Sequence, residues 1–350
     1  MQFDDSSPSP RHSVAPSPRQ FEAVSVIVPV RNEAKAIEPT LRALLTQDFP
    51  PSRYEVIVAD GVSEDETVPI VRRLQGEFDN LKLVFNPARY ASAGRNTAIR
   101  HMTGDVAIIV DGHCSVPDST YLKNLVAAFE ASGADSLGRP QPLDAPDPTP
   151  FQQAVGVARA SRLGHNPSSD IFSDTAKFVA PESTAVAYRR PVFHAVGLFD
   201  PAFDACEDVE FNTRVHAAGL TCYFDPKLKV RYHPRANWLG LFRQLARYGC
   251  GRARLAAKHP HSLTLPAVVP PLWAVWVVVG AVAGLFVPVV GYAYLASVAL
   301  YAAVILGGSA WLGRGQPLRV AVRIPAVLVG IHFGFALGFL REAVRQVRSR

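Results

Sequence analysis

The feature that most constrains the fold is an alternation, repeated along the first part of the chain, of short apolar runs and segments with helical periodicity. The apolar runs are almost continuous, as in strands that are buried on both faces of a parallel sheet. They are Val24–Pro29, Tyr54–Ala59, Leu81–Phe85 and Val106–Val110, and the helical segments are Ala36–Gln47, Thr67–Phe78, Ser92–Met102 and Ser119–Ser132. Strands and helices that alternate at this spacing predict βαβ units and a parallel sheet.

Further along the chain the patterns are shorter. The proline-rich stretch Gly138–Pro150 predicts a loop. Beyond it we predict a strand at Phe178–Tyr188, a helix at Asp208–Ala218, and two short strands at Thr221–Phe224 and Lys229–Tyr232.

Polar side chains gather where the first four predicted strands end. They are Asn32 and Glu33, Asp60, Arg95 and Asn96, and the outer residues of Asp111-Gly112-His113. In an open α/β sheet, ligands bind beyond the carboxyl ends of the strands. Four such ends that carry polar groups therefore predict a nucleotide site.

These segments resemble the nucleotide-sugar half of family 2 glycosyltransferases, which have the GT-A fold. Pro29–Glu33, Asp60–Asp65, Ala93–Asn96 and Asp111–His113 match the family's P-x-x-N-E, D-D-G-S-x-D, A-R-N and D-x-D patterns. Within the family, the Asp-Gly-His ending and the run Gly138–Pro142 are most similar to succinoglycan-type exopolysaccharide transferases. The resemblance covers roughly Val24 to Lys258. It implies an α/β fold of the GT-A (Rossmann-like) type, a mainly parallel sheet flanked by helices.

The resemblance also implies a nucleotide-sugar site, formed by Pro29, Asn32, Glu33, Asp60, Arg95, Asn96, Asp111 and Arg247. Asp60 would accept hydrogen bonds from the uracil or the ribose, and the alternative is a turn aspartate that caps the helix at Thr67. Arg95 would contact the diphosphate, because a guanidinium matches phosphate oxygens in bidentate geometry. The alternative for Arg95 is a surface position on a helix. Gly61 stands where the family often has a second aspartate, so one contact is missing.

A divalent metal, Mn²⁺ or Mg²⁺, is implied at Asp111-Gly112-His113, where the family usually has a carboxylate at both ends of the triplet. In an extended chain, residues two apart project to the same side, so Asp111 and His113 can converge. Imidazole suits Mn²⁺ better than the hard ion Mg²⁺. His113 could instead support another ligand or face the acceptor. His233 resembles a third ligand of many GT-A enzymes, and a structural histidine is the alternative.

The pair Glu207-Asp208 resembles the acceptor-side E-D motif of the family, which supplies the catalytic base. We expect Asp208 to take the proton from the acceptor hydroxyl, with Glu207 as the alternate. A helix N-terminus favours negative charge, so this carboxylate should stay ionised. An acidic pair that only caps the helix is the other interpretation.

The segment Gln244–Tyr248 resembles the Q-x-x-R-W motif of processive synthases, with tyrosine in place of tryptophan. Arg247 could neutralise the departing diphosphate, or it could be a cation beside the membrane.

Charged residues almost vanish between Ser262 and Leu312. Ala267–Val287 and Val289–Leu312 are each long enough to cross the hydrocarbon core, which needs about 20 residues. Ile324–Leu340 is a shorter third candidate. A full third crossing would place the arginine-rich tail on the side opposite the catalytic domain, against the positive-inside rule. Its apolarity favours a crossing, and a re-entrant or interfacial segment is the alternative.

The net charge is +6, but the cations flank the apolar region, which favours membrane lipids and argues against nucleic acid as a partner. The four scattered cysteines fit a reducing cytoplasm, and the Ser- and Pro-rich start has no signal-peptide pattern. We therefore expect four parts. They are a disordered tail at 1–22, a GT-A domain at 23–260, a membrane region with two or three apolar helices at 266–341, and a basic tail at 342–350.

Taken together, the patterns and the resemblance predict a membrane-anchored inverting glycosyltransferase at the cytoplasmic face of the inner membrane. It would move a sugar from a UDP-sugar to a polyprenyl-linked or other saccharide acceptor, in exopolysaccharide or cell-surface glycan synthesis. Two alternatives remain. One is a processive polysaccharide synthase, and the other is a non-catalytic membrane scaffold that binds nucleotide.

Overall fold

The computed structural model describes residues 23–165 and 169–348, so the predicted disordered tail lies outside the described residues. Its centre is an eight-stranded sheet. The strands are β1 (Val24–Val30), β2 (Tyr54–Asp60), β3 (Leu81–Phe85), β4 (Val106–Ile109), β6 (Ser136–Gly138), β7 (Lys177–Val179), β8 (Ala185–Arg189) and β9 (Cys222–Phe224), in the spatial order β3-β2-β1-β4-β8-β6-β9-β7. A separate two-stranded ribbon pairs β5 (Cys114–Ser115) with β10 (Arg231–Tyr232).

The prediction of a mainly parallel sheet is confirmed. The β3-β2-β1-β4 half is parallel throughout, and β6 also runs parallel to β9. Antiparallel pairs join β4 to β8, β8 to β6, and β9 to β7. The first four predicted strands match observed strands to within one residue at each end.

Helices cover both faces of the sheet and continue beyond it. They are α1 (Ile37–Leu45), α2 (Thr67–Gln75), α3 (Ala91–His101), α4 (Tyr121–Ser132), α5 (Pro150–Arg159), α6 (Pro181–Thr184), α7 (Arg190–Val196), α8 (Glu207–Ala217), α9 (Trp238–Lys258), α10 (Leu265–Gly284), α11 (Pro288–Leu312), α12 (Leu318–Ala321) and α13 (Ile324–Arg348). Side chains alternate between the two faces of each strand. Hence Val26 and Val28 pack with α1, α2 and α4, whereas Ile27 packs with α3, α7 and α8.

The prediction of a single strand at Phe178–Tyr188 is wrong. Pro181 begins the short helix α6, which divides the segment into β7 and β8. Proline lacks the amide hydrogen that a strand in the middle of a sheet needs, and its fixed φ suits the first turn of a helix. The two halves therefore occupy different places in the sheet, with β7 at its edge.

Three helical stretches are long and apolar enough to cross a membrane: Leu265–Gly284, Pro288–Leu312 and Leu318–Arg348. They differ in burial. Only 11% and 6% of the apolar windows of the first two are buried, against 44% of the third. Helices α10 and α11 thus form an exposed apolar hairpin, whereas the stretch that contains α13 is almost half covered by protein.

Helix α13 is covered mainly by α9, which runs parallel to it in constant register. The indole of Trp238 donates to the carbonyl of Ala326 (3.0 Å), and Arg254 pairs with Glu342 (2.8 Å) near the other end. Between these points the backbones approach closely at Gly334 and Gly338 of α13 and at Gly249 of α9, while Gly330 leaves room for the indole of Trp238. Residues of α5, α9, α11 and α13 share a third hydrophobic cluster. Therefore α13 is attached to α9 from Ala326 to Glu342.

Candidate active site at the carboxyl edge of the sheet

The candidate site lies where the loops after β1, β2, β3 and β4 meet the start of α8. Four non-glycine residues of the described chain have positive φ: Asn32, Val62 and Arg89 lie in the loops after β1, β2 and β3, and Cys206 immediately precedes α8. Such conformations each cost about 1 kcal/mol or more outside glycine and persist only where the surroundings enforce them. Backbone strain in the described part of the chain is therefore concentrated around the candidate site.

Asp60 ends β2 with a buried carboxylate. Its Oδ2 accepts a hydrogen bond from the amide of Ser63 (3.1 Å), and its Oδ1 is buried without a partner. The amide of Thr67, where helix α2 begins, donates to Oδ1 of Asp65 (3.0 Å) and not to Asp60, so the capping alternative for Asp60 is wrong. The free acceptor capacity of Oδ1 is what an N–H or O–H donor of a ligand would need.

Asn32 ties the first two loops together. Its side-chain oxygen accepts a hydrogen bond from the backbone amide of Glu64 (2.8 Å), and its backbone amide donates to the hydroxyl of Ser63 (2.9 Å). Pro29 lies near the end of β1 and packs against α3. A Cβ added to Gly94 of α3 would lie 3.3 Å from the proline ring. These contacts fix the floor of the candidate nucleotide site.

The side chain of Asn96 makes its hydrogen bonds within the protein, whereas the resemblance implies a contact with the nucleotide. Its amide nitrogen donates to the carbonyl of Phe199 (2.7 Å), and its oxygen accepts from the Phe199 amide (2.9 Å). Both groups are thus used within the protein. They tie α3 to the segment that leads into α8.

Arg95 is buried, so the surface alternative for this residue is wrong. Its guanidinium lies 2.9 Å from the carboxylate of Glu207 and 3.6 Å from that of Asp111. Burial alone would lower the pKa of Arg95, but the charges of Glu207, Asp111 and Asp208 raise it above its ordinary value. One cation therefore links the triplet after β4 to the acidic pair at the start of α8.

The two members of the acidic pair differ in exposure. Glu207 is buried against Arg95, whereas Asp208 is exposed. The Oδ1 atom of Asp208 accepts from the amide of Val209 (2.8 Å), at the N-terminus of α8. Asp208 is therefore the carboxylate of the pair that a second substrate can reach, and Glu207 orients the buried cation.

His113 is held by Glu33, one residue that the resemblance assigns to the nucleotide. Its Nδ1 lies 2.9 Å from Glu33 Oε1, and its ring packs edge-on against Tyr232 at 4.9 Å. Burial lowers the pKa of His113, but the hydrogen bond with Glu33 and the charge of Asp111 outweigh that effect and raise it. Gly112 permits this arrangement, because a Cβ there would lie 2.6 Å from Val30.

The residues predicted to bind metal fit such an ion only in part. Nε2 of His113 is buried without a partner, while Glu33 fixes the other ring nitrogen, as carboxylates commonly do for ligating histidines. His233, however, lies 3.0 Å from the Ser115 hydroxyl. Among the described residues, no three His, Cys, Asp or Glu side chains converge as a metal site. A metal ion here would need ligands from the nucleotide as well.

Arg247 is exposed on α9, and its guanidinium donates to the carbonyl of Asp204 (2.7 Å). Arg254 pairs with the carboxylate of the same aspartate as well as with Glu342. Hence α9 holds the segment immediately before the acidic pair. Sequence reasoning missed this network, and its only signal was the arginine spacing along α9.

The mainly parallel sheet with its charged carboxyl edge has the GT-A-like fold, and the comparisons with known proteins identify the class of protein as a glycosyltransferase. The family described as "Glycosyl transferase family 2" matches residues 25–195. "Succinoglycan biosynthesis protein ExoA" of Rhizobium meliloti is 30% identical over 320 residues, which covers 91% of this chain and 94% of that protein. The chain therefore belongs to glycosyltransferase family 2.

Two further proteins are similar over most of the chain. A Methanococcus voltae enzyme is 26% identical, covering 67% of this chain and 74% of its own length. It is named "Dolichyl N-acetyl-alpha-D-glucosaminyl phosphate 3-beta-D-2,3-diacetamido-2,3-dideoxy-beta-D-glucuronosyltransferase". The solved structure of "Mannosyltransferase PcManGT from Pyrobaculum calidifontis in complex with GDP-Man and Mn2+" shares the fold, with 24% identity, a TM-score of 0.57, and coverage of 91% and 88% of the two chains. The chain is thus similar to exopolysaccharide and lipid-linked glycosyltransferases.

Proposed function

We propose that this protein is a membrane-bound inverting glycosyltransferase that transfers a sugar from a UDP-sugar to a hydroxyl of a lipid-linked oligosaccharide. The observation that carries the proposal is the charged cluster at the carboxyl edge, in which exposed Asp208 adjoins buried Glu207, and buried Arg95 links Glu207 to the half-buried Asp111. Similarity to an exopolysaccharide protein and to a dolichyl-linked transferase supports this class of acceptor.

The proposed reaction is a single displacement. The acceptor oxygen forms a bond to the anomeric carbon as the bond from that carbon to the diphosphate breaks. The carboxylate of Asp208 takes the hydroxyl proton, and the electron pair leaves with UDP. Arg95 keeps Asp111 and Glu207 in place, and Arg247 sets the position of the loop before Asp208.

The nucleotide binds in this proposal along the loops after β1 and β2. Asp60 supplies a free acceptor for the base or the ribose, and Asn32 and Pro29 shape the floor. Asp111 and His113 would hold a Mn²⁺ or Mg²⁺ ion together with the diphosphate, with His233 as a further candidate, and the ion would neutralise charge on the leaving group. Because the protein supplies few ligands, metal and nucleotide should bind together.

We also infer the arrangement at the membrane. The exposed hairpin α10–α11 crosses twice, and α13 lies beside the catalytic unit and does not cross. The support is its contact with α9 from Ala326 to Glu342, which keeps the arginines at 341, 345 and 348 on the catalytic side. This agrees with the positive-inside rule and places the catalytic unit at the cytoplasmic face.

The test is transfer of label from a panel of radiolabelled UDP-sugars into the lipid fraction of membranes that contain the full chain. The proposal expects transfer from one donor, lost when a chelator is added. Very long products from one acceptor would favour a processive synthase instead. UDP binding without transfer from any donor would favour a scaffold.

A further inference from the structure

A second cavity lies between the catalytic edge and the membrane helices. It is a partly open cleft with a cavity volume of about 70 Å³. Val155 and Arg159 of α5 line one wall, and Gln244 and Tyr248 of α9 line the other. Tyr232 also lines it, and its ring packs edge-on against His113 with 4.9 Å between the ring centres. The cavity is therefore adjacent to the proposed metal and diphosphate position.

The cation in this cavity has no acidic partner. Arg159 lies 5.9 Å from the centre of the Tyr248 ring, and within residues 23–165 and 169–348 no carboxylate pairs with it. Burial lowers the pKa of Arg159, since its charge is poorly solvated there. A half-buried guanidinium without a counter-ion is a natural site for an anion, and phosphate oxygens match its geometry best.

The polar groups around Arg159 are prearranged. The amide of Gln244 donates to both phenol oxygens, at 3.3 Å to Tyr232 and 3.2 Å to Tyr248. Burial raises the pKa of Tyr248; the charge of Arg159 opposes this rise, and the charge of Asp208 adds to it. The cavity thus lies within electrostatic reach of the proposed base.

The opposite end of the cavity faces the membrane region. Leu163 follows Arg159 by four residues, and its side chain lies against α11. A Cβ added to Gly308 of α11 would be only 2.4 Å from the Leu163 side chain. The carbonyl of Leu163 lies 2.8 Å from the ring of His332 in α13. Val155 and Leu241, which line the cavity, belong to the hydrophobic cluster shared with α11 and α13. A ligand with an anionic group and an apolar chain fits this position.

We propose that this cavity is the acceptor pocket and that Arg159 binds the phosphate that joins the acceptor saccharide to its lipid. The inference rests on the proposed function, because it presumes a lipid-linked acceptor. The phosphate pairs with the guanidinium of Arg159, and the saccharide extends past Tyr232 and Tyr248 toward Asp208. The lipid chain lies along α11 and α13. The same chemistry could come from a phospholipid headgroup, which the experiment separates.

The test measures binding of farnesyl diphosphate to the full-length protein in detergent by titration calorimetry, with farnesol as the phosphate-free probe and UDP as a control ligand. Arg159→Ala should weaken farnesyl diphosphate about 10- to 100-fold, the usual effect of losing charge-assisted hydrogen bonds. Arg159→Lys should lose less. Affinities for farnesol and UDP should stay unchanged. Arg162→Ala, an exposed arginine three residues along, is the matched control.

Several outcomes would overturn the inference. They are no binding of farnesyl diphosphate by the wild type, equal affinity in Arg159→Ala, or stronger competition by dispersed phosphatidylglycerol than by farnesyl diphosphate. If Arg159→Ala does not fold, Arg159→Gln, which removes the charge but keeps a polar side chain, gives the same comparison. Sugar transfer by the wild type is scored separately, so failure of the pocket and failure of the proposed function remain distinguishable.

Discussion

The contact between α9 and α13 makes a quantitative prediction, because it depends on glycine. A Cβ added to Gly338 would lie 1.9 Å from the carbonyl oxygen of Ala246, and ordinary contact begins at 3.4 Å. Gly338→Ala must therefore separate the two backbones by about 1.5 Å at this point, since neither a helix backbone nor a carbonyl can turn aside. Overpacking of this kind costs about 1–3 kcal/mol.

The separation should also affect activity, because Arg254 of α9 joins Glu342 of α13 to Asp204, four residues before Asp208. The assay is thermal unfolding of the purified protein in detergent, together with the rate of sugar transfer. With about 2–4 °C for each kcal/mol, Gly338→Ala should lower the Tm by about 2–12 °C and reduce transfer.

Gly307→Ala is the matched control, because nothing lies within 4 Å of a Cβ at this exposed position of α11. It should leave the Tm unchanged or slightly higher, as alanine favours helix. A Gly338→Ala protein with the Tm and activity of the wild type would refute the tight helix contact and the attachment of α13 to the catalytic unit.

Three further predictions follow from the charges and the topology. Arg95→Ala should destabilise the protein by about 3–5 kcal/mol, because it leaves the buried Glu207 and the carboxylate of Asp111 without their cation. Denaturant unfolding measures this loss. The control is Arg100→Ala, at an exposed arginine of the same helix, which should have little effect. Burial alone would raise the pKa of Glu210, but hydrogen bonds from Arg214, Lys258 and His259 outweigh burial and lower it. The contribution of Glu210 to stability is therefore present above pH 4.5 and is lost as the pH falls through the folded pKa. The Tm should fall on acidification, and less steeply in Glu210→Gln. In Arg345→Cys, the cysteine should react with a membrane-impermeant thiol reagent only from the cytoplasmic side. In Leu285→Cys, it should react only from the outside. A third crossing would instead expose the cysteine of Arg345→Cys on the outside.

Much of the parallel half of the sheet could be predicted from the sequence, because buried parallel strands are continuous apolar runs that end in polar loops. The division of Phe178–Tyr188 could not be read from its apolar pattern alone, and Pro181 was the signal that should have broken it. The short strands β5 and β6 have too few residues to show a period.

The candidate site shows the same limit. The order of motifs placed Asp60, Asp111 and Asp208 at one edge, but motif spacing carries no information on which side chains pair. The contacts of Arg95 with Glu207, of His113 with Glu33 and of Asn96 with Phe199 join residues that lie far apart in the sequence. Arg159 carried no motif at all, and its significance depends on the absence of a partner among the described residues.

The measurement that tests the central claim most directly is the turnover of purified Asp208→Asn with the UDP-sugar that the wild type uses, beside its affinity for UDP. Loss of the base should lower kcat by about 10²–10⁴-fold, while UDP binds as in the wild type and the exposed control Asp79→Asn keeps full activity. Turnover by Asp208→Asn at the wild-type rate would contradict the assignment of Asp208 as the base, and with it the displacement mechanism proposed at this edge of the sheet.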